Sequence, residues 1–468
     1  HGGPEMKMWS GRFRGGPDPE FDAWQRSFPF DRRLLPQEIA ASKAHAGALH
    51  AAGLLSKAEL DATLRGLEQI EREGASADDP AIEDVHHFVE SRLAAVAGEV
   101  GYKLHTGRSR NEQIATDLRL YVRSQADGLR ELLAELIAVF VERVRQAGDA
   151  AMPSYTHLQR AEPVLVSHWL LAYAEMFLRD LDRLGDCRAR LNECALGSGA
   201  VAGAILPLDR RAMAVELGFD RTTANSIDAT SDRDFAIEFA QVLSLVAIHL
   251  SRWAEEMVLF STTEYGFITL PEAYSTGSSA MPQKKNPDAC ELIRGKTARI
   301  IASATSLLIA AKGLPLAYNK DLQETQQPVF DSAEQCAAMV KIATGFMSSV
   351  TFNLDRMRAA ATTGCMNAMA AAGHLVRTGV PFRRAHELIG HAVQLCIEKG
   401  CELEDLSAEQ RKQCGIELTP ELRDSLTLES VLGCHDVEGG TAPARVRQAL
   451  ARAQERLAAA KGAAHVGA

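Results

Sequence analysis

The longest unbroken pattern in the chain begins at Asn111. In NEQIATDLRLYVRSQADGLRELLAELIAVFVERVRQAG the apolar residues Ile114, Leu118, Tyr121, Leu129, Leu132, Leu136, Phe140 and Val144 recur at helical spacing. A single amphipathic helix of that length spans roughly 55–60 Å. Comparable runs cover about 164–193, 231–264, 288–311 and 322–352. The stretch AIEFAQVLSLVAIHL at 236–250 is apolar nearly all round, which predicts burial among other helices or subunits. Helices this long exceed ordinary globular lengths and predict a bundle.

The flanks read differently. Residues 1–105 hold loops and shorter helices, and short helices return from about 353, for example PFRRAHELIGHAVQLCIEKG at 381–400. A GGTAP turn at 439–443 precedes a final amphipathic helix, and no internal repeat is present. The expected fold is all-α: a long-helix central bundle over 106–352 between smaller helical domains at 1–105 and 353–468. A chain of 468 residues is too long for one ordinary core, in keeping with two or three domains.

Composition removes several function classes. A formal net charge of −10, with no basic run, argues against nucleic acid as the main partner. The longest apolar stretch, IIASATSLLIAA at 300–311, is too short for a membrane span and carries hydroxyls, so no membrane partner is expected. The opening HGGPEMKMWSGRF lacks an apolar core, so no signal peptide is expected, and HGGPE reads as an addition ahead of Met6 or Met8. The nine cysteines are odd in number and scattered without a Cys-x-x-Cys pair. They predict reduced thiols in a cytoplasm, with neither disulfides nor a zinc site.

Four polar stretches interrupt the helical pattern: KLHTGRSRNEQ at 103–113, YTHLQRAEP at 155–163, STGSSAMPQKKNPD at 275–288 and LAYNKDLQE at 316–324. The third cannot be a regular helix, because Pro282 and Pro287 remove donors and restrict the residues before them. Gly277 frees its backbone to turn, and Ser278 and Ser279 can bond nearby backbone groups. Singly each stretch has an ordinary reading. His157 would be a packed or capping histidine, Arg108 and Arg110 a surface pair at a helix start, Gly107 a turn and Tyr318 a packing residue. Jointly, the loops at one end of an antiparallel bundle converge, and copies from neighbouring subunits can complete a site.

GSSAMPQKKNP resembles the signature loop of the fumarase/aspartase superfamily, whose members eliminate across a carbon–carbon bond and release fumarate. HTGRSRN, YTHLQRA, NSIDATSDRDF at 225–235, LPLAYNKDLQE and GGTAP resemble the argininosuccinate lyase family within it, and the likeness runs from MWSGRF at 8–13 to GGTAP. The resemblance implies β-elimination of argininosuccinate to arginine and fumarate, for arginine biosynthesis, by a cytoplasmic homotetramer whose sites pool loops from different subunits. It also implies the roles. Ser278 is the base that removes the proton beside a carboxylate. Lys284, with Asn286 as an orienting donor, stabilises the doubly charged aci-carboxylate that results. His157 delivers the proton to the departing nitrogen, and Glu291 is the carboxylate that orients it. Ser27, Arg110, Asn111 and Thr156 hold the succinyl carboxylates, while Arg233, Tyr318 and Gln323 contact the arginine half. No metal or organic cofactor is implied. The chain departs from the family's usual wording at Glu112, Glu162, Met369, Ala370 and Gln326, where a lysine is common. The alternatives are another fumarate-releasing lyase, which should carry different loop wording, or a non-catalytic crystallin-like relative, against which intact Ser278, Lys284 and His157 weigh.

Overall fold

A computed structural model describes residues 16–465 apart from positions 76 and 418, so the likeness at 8–13 lies outside the described residues. Two short helices, Pro19–Gln25 and Phe28–Asp31, precede α1 (Leu35–Ala51), α2 (Lys57–Glu73) and α3 (Val85–Ala97). The long elements follow: α4 (Arg110–Ala147), the strands β1 (Ala151–Thr156) and β2 (Gln159–Leu165), α5 (Val166–Leu191) and α6 (Asp234–Phe260). A two-residue ladder, β3 (Thr276–Gly277) with β4 (Lys285–Asn286), leads into α7 (Asp288–Ala311) and α8 (Gln326–Ser349). Among the shorter helices after it, α9 (Phe382–Lys399) and α10 (Pro443–His465) are the longest.

The fold is all-α, as the periodicity predicts, and the helix ends carry their local signals. Ser56 and Glu59 form a reciprocal capping box on α2. Asp84 caps α3 by accepting from the His87 amide, and Gly400 ends α9 in the left-handed conformation. One run ends differently from its pattern. Residues 320–325 form a 3-10 turn instead of the first turns of α8. Pro328 is the reason: its ring would clash with the carbonyl four residues earlier if a regular helix ran through.

Contacts divide the chain into two compact units. The first comprises His1–Ala126, Asp186–Gln241 and Ala302–Ser332; the second comprises Asp127–Gly185, Val242–Ile301 and Ala333–Ala468. In the first, Phe28 stacks on Phe88 at 5.3 Å, and Leu120, Leu196, Met213 and Phe219 pack with the alanines of α1. In the second, Phe140 meets Tyr173 and Phe177, and Trp253 meets Phe346 edge-on at 5.3 Å. A separate core of that unit gathers Ala385, Ile389, Leu403, Leu406 and Leu422 under α9.

Helix α6 is long and apolar enough by composition to cross a membrane. Its side chains nevertheless engage protein partners: His249 pairs with Asp180 at 2.6 Å, and Glu256 accepts from Trp169 Nε1 and the Tyr173 hydroxyl. Such bonds mark the core of a protein rather than a lipid-facing helix.

Candidate active site

Ser27, Arg110, Asn111, Arg233, Tyr318 and Gln323 fall in the first unit. Ser27 is buried at the start of the short helix Phe28–Asp31, and its hydroxyl donates to Asp31 Oδ2 at 2.6 Å. Its own amide and that of Phe28 donate to the Glu83 carbonyl, each at 3.0 Å. Asp31 Oδ1 accepts from the Val85 amide at 3.0 Å. Burial and then the neighbouring Asp84 charge push the Asp31 carboxyl up to about 7. Arg110, the first residue of α4, is ion-paired with Asp84. Burial works to raise Asp84, but the Arg110 and His86 charges outweigh it and hold the carboxyl below its ordinary range. Ser27 and Arg110 are therefore anchored from behind by two adjoining aspartates that no sequence pattern singles out.

Arg233 is only 2% exposed, and its Nη1 donates to the Asp232 carbonyl at 2.8 Å. Its Nε and Nη2 have no hydrogen-bond partner. Burial lowers this guanidinium to about 10, an effect the nearby Tyr318 phenol opposes. Tyr318 is itself pushed up by burial, and it lies within the fields of Arg233, Asp84 and Arg110. It follows Ala317, held at φ 65°, a conformation costly for a residue with a Cβ. Gln323 Nε2 donates to the Gln25 carbonyl at 2.9 Å, tying the 3-10 turn to the segment before Ser27. Gly107, in the HTGRSRN stretch, takes φ +70°, and a Cβ there would lie 2.8 Å from Leu206. Only glycine fits.

Thr156, His157, Ser278, Lys284, Asn286 and Glu291 fall in the second unit. The stretch around His157, read as a gap between helices, is instead the hairpin β1–β2, with Thr156 paired to Gln159. Its two loop residues, His157 and Leu158, have φ of 54° and 57°. Both central positions of a type I′ turn require such values, normally supplied by Asn-Gly or Asp-Gly. The absence of those residues hid the hairpin. His157 is exposed at its tip, where no hydrogen-bond partner is found among the described residues, and Leu158 beside it is 65% exposed. At the base of the hairpin Glu162 Oε2 lies 3.1 Å from His435 Nε2.

The signature loop closes on the β3–β4 ladder. Thr276 Oγ1 bonds Asp288 Oδ2 and accepts from Asn286 Nδ2 at 3.4 Å. At the near end of the loop, Ser278 Oγ accepts from the amides of Ala280 at 3.2 Å and Met281 at 3.0 Å. Lys285 Nζ donates to the Leu270 carbonyl at 3.2 Å, whereas Lys284 is exposed and unpaired among the described residues. Gly277 does not take a left-handed φ, and a Cβ there would meet only the Lys284 carbonyl at 4.0 Å, so the turn does not require its freedom. Glu291, exposed in the first turn of α7, faces Arg294 at 4.0 Å. It makes no contact with His157 within the chain, so the expected pairing is absent from a single subunit.

The reading from spacing also overlooked Glu38, His86 and Asp117, whose ligating atoms lie within 4.8 Å of one another in the first unit. These residues come from three helices, and no spacing rule in the sequence could join them. The donors Ser42 and Gln113, at 2.7 and 3.1 Å from Glu38 Oε1, already fill this carboxylate, with His86 Nδ1 3.0 Å from Oε2. The Glu38 carboxylate is therefore already hydrogen-bonded within the chain.

Two family models match the chain: "Lyase" over residues 11–302 and "Argininosuccinate lyase C-terminal" over residues 365–433. The argininosuccinate lyase of Koribacter versatilis is 63% identical over 464 residues, covering 99% of this chain and 100% of that one. The enzyme of the same name from Acidobacterium capsulatum is 55% identical, covering 96% and 95%. Among solved structures, EDDS lyase in complex with formate superposes with a TM-score of 0.87 at 27% identity, covering 97% and 93%.

Proposed function

Since the chain belongs to the argininosuccinate lyase family, we propose that one set of its polar residues binds argininosuccinate and another carries out the elimination. The protein is a carbon–nitrogen lyase that releases arginine and fumarate. The base is Ser278. A serine hydroxyl is too weak a base unless its anion is stabilised, and the Ala280 and Met281 amides already point at Oγ. That pair of bonds is the observation that carries the assignment. Ser278 removes the proton from the carbon beside a succinyl carboxylate, and the electron pair moves onto that carboxylate. Lys284, which has no internal partner to give up, and Asn286 stabilise the extra charge most in the transition state. The carbon–nitrogen bond then breaks, its electron pair leaves with the guanidino nitrogen, and His157 supplies the proton that nitrogen takes up.

Binding falls to the remaining residues. Ser27, Arg110, Asn111 and Thr156 receive the succinyl carboxylates. The spare Nε and Nη2 donors of Arg233 suit the carboxylate of the arginine half, with Tyr318 and Gln323 alongside. Glu291 orients His157 across a subunit boundary in a cytoplasmic homotetramer. The absent His157–Glu291 contact supports shared sites, as do apolar side chains such as Leu292, Leu308 and Ile309 exposed on α7. Supplying argininosuccinate and following fumarate by its ultraviolet absorbance tests the reading, and no fumarate would reject it.

A further inference from the structure

Glu38 on α1, His86 on α3 and Asp117 on α4 are all buried, and the mechanism above uses none of them. Glu38 is well supplied with donors. Ser42 Oγ and Gln113 Nε2 reach Oε1, His86 Nδ1 stands 3.0 Å from Oε2, and Arg108 Nη2 stands 3.7 Å from Oε1. Asp117 is the reverse. Neither of its oxygens receives a hydrogen bond among the described residues, and His86 Nδ1 stands 3.5 Å from Oδ2, although the carboxyl lies within 4.8 Å of the Glu38 carboxylate. Two ionised carboxylates that close have only acceptors to offer each other. A fully buried anion without donors beside a second anion is one of the costliest arrangements a core can hold.

We propose that Asp117 is carried as the neutral acid, donating its proton to Glu38, and that this carboxylic acid–carboxylate pair positions the segment bearing Arg110 and Asn111. The connections are short. Arg108 Nη1 donates to Ser42 Oγ at 3.0 Å, and that hydroxyl donates to Glu38. Gln113 and Asp117 stand on the first turns of α4, whose first residue, Arg110, pairs with Asp84 two residues before His86. Glu38 thus grips both sides of the Arg110–Asn111 pair, Arg108 before it and Gln113 after it. The titrating environment agrees with this geometry. Burial, then the Glu38 charge, raises Asp117 well above the ordinary carboxylate range, with Asp31 adding to the rise and Arg108 opposing it. Burial also works to raise Glu38, but the His86 and Arg108 charges prevail and hold it low.

The part concerning Arg110 and Asn111 rests on their assignment as substrate-binding residues; the shared proton does not. The Asp117→Asn variant of the full chain tests the proton directly, because a neutral amide with a donor is what the site already accommodates. Asp117 has a raised value in the folded chain, so its stabilising effect is whole below the unfolded value near 4 and is lost as pH rises toward the folded one. The variant has no such loss. From about pH 5 upward, until Asp117 ionises in the folded parent, the variant's folding equilibrium should therefore gain on the parent's by up to about tenfold per pH unit. The infrared band of protonated carboxylic acid should be weaker in the variant than in the parent, the remainder coming from Asp31, itself raised to about 7. A difference that is flat with pH, an unchanged infrared spectrum, or a variant that does not fold would each overturn the shared proton. So would a rise in the parent's melting temperature on adding Mn²⁺ or Zn²⁺ that Asp117→Asn abolishes, since the cluster would then bind a cation. For the positioning role, Glu38→Gln should raise KM for argininosuccinate about tenfold and change kcat far less, as expected when ground-state and transition-state binding weaken together. With that infrared difference present, an unmoved KM in a folded Glu38→Gln would reject the positioning role alone. A parent that releases no fumarate would instead reject the functional reading and leave the proton result standing.

Discussion

Lys284 and Gln326 show how differently two residues of one proposed site respond to change. Lys284 is exposed and unpaired among the described residues, and its proposed work begins only as charge develops on the substrate. Lys284→Ala and Ser278→Ala should each lower kcat by about a hundredfold or more, measured by steady-state fumarate release. Gln326 is buried with Oε1 unsatisfied, in the place where the family resemblance leads one to expect a lysine. A lysine there would bond a carboxylate that stays charged throughout, so Gln326→Lys should lower KM by roughly five- to thirtyfold and spare kcat. Because position 326 is buried, that bond would be a desolvated one, which adds a cost. Without substrate the buried ammonium has no counter-ion, and the melting temperature of the variant should fall below the parent's, recovering when substrate or product is added. An unchanged KM would mean another cation already serves that carboxylate. Local wording marked Ser278, Lys284, His157 and Arg110 as candidates at this scale. Asp31, Asp84, Glu38 and Asp117 were not legible, because a buried carboxylate on a helix is spelled like a surface one until its neighbours are known.

Among the elements, periodicity was a good guide where apolar residues recur over many turns, and α4 to α7 begin and end within a few residues of their patterns. It failed for the short pieces that carry chemistry. The hairpin β1–β2 turns on a His-Leu pair that gives no turn signal, and the ladder β3–β4 is two residues long on each side. Their conformations come from tertiary context, which overrides weak local preference. The hairpin makes its own prediction. Leu158 at φ 57° bears a strain that glycine would not, so Leu158→Gly should stabilise the protein by up to about 1 kcal/mol, net of the entropy glycine adds to the unfolded chain. Leu158→Val should destabilise it, since β-branched side chains fit that region worst. Melting temperatures ordered glycine, leucine, valine would bear this out, and the reverse order would deny that the turn is strained.

For the whole molecule, the proposed domains 1–105, 106–352 and 353–468 follow the order of the chain, whereas the two contact units are each assembled from three separate segments. The difference arises because α4 to α8 are long enough to supply residues to both units. Sequence periodicity reads continuity along a helix and does not register where its contacts change partners. Sharing of sites is tested by mixing His157→Ala and Ser278→Ala chains. If the two residues of a site come from different subunits, mixed oligomers regain some sites lacking either mutation, and activity should return toward a fraction of the parent's. Continued inactivity despite demonstrated subunit exchange would count against shared sites. The central claim, that the loop from Ser278 to Asn286 eliminates fumarate from argininosuccinate, is tested most directly by one assay. Parent and Ser278→Ala proteins are each given argininosuccinate at saturation, and fumarate is followed by its ultraviolet absorbance. The account predicts steady release by the parent and a rate lower by about a hundredfold or more for the variant; equal rates from the two, or no fumarate from the parent, would contradict it.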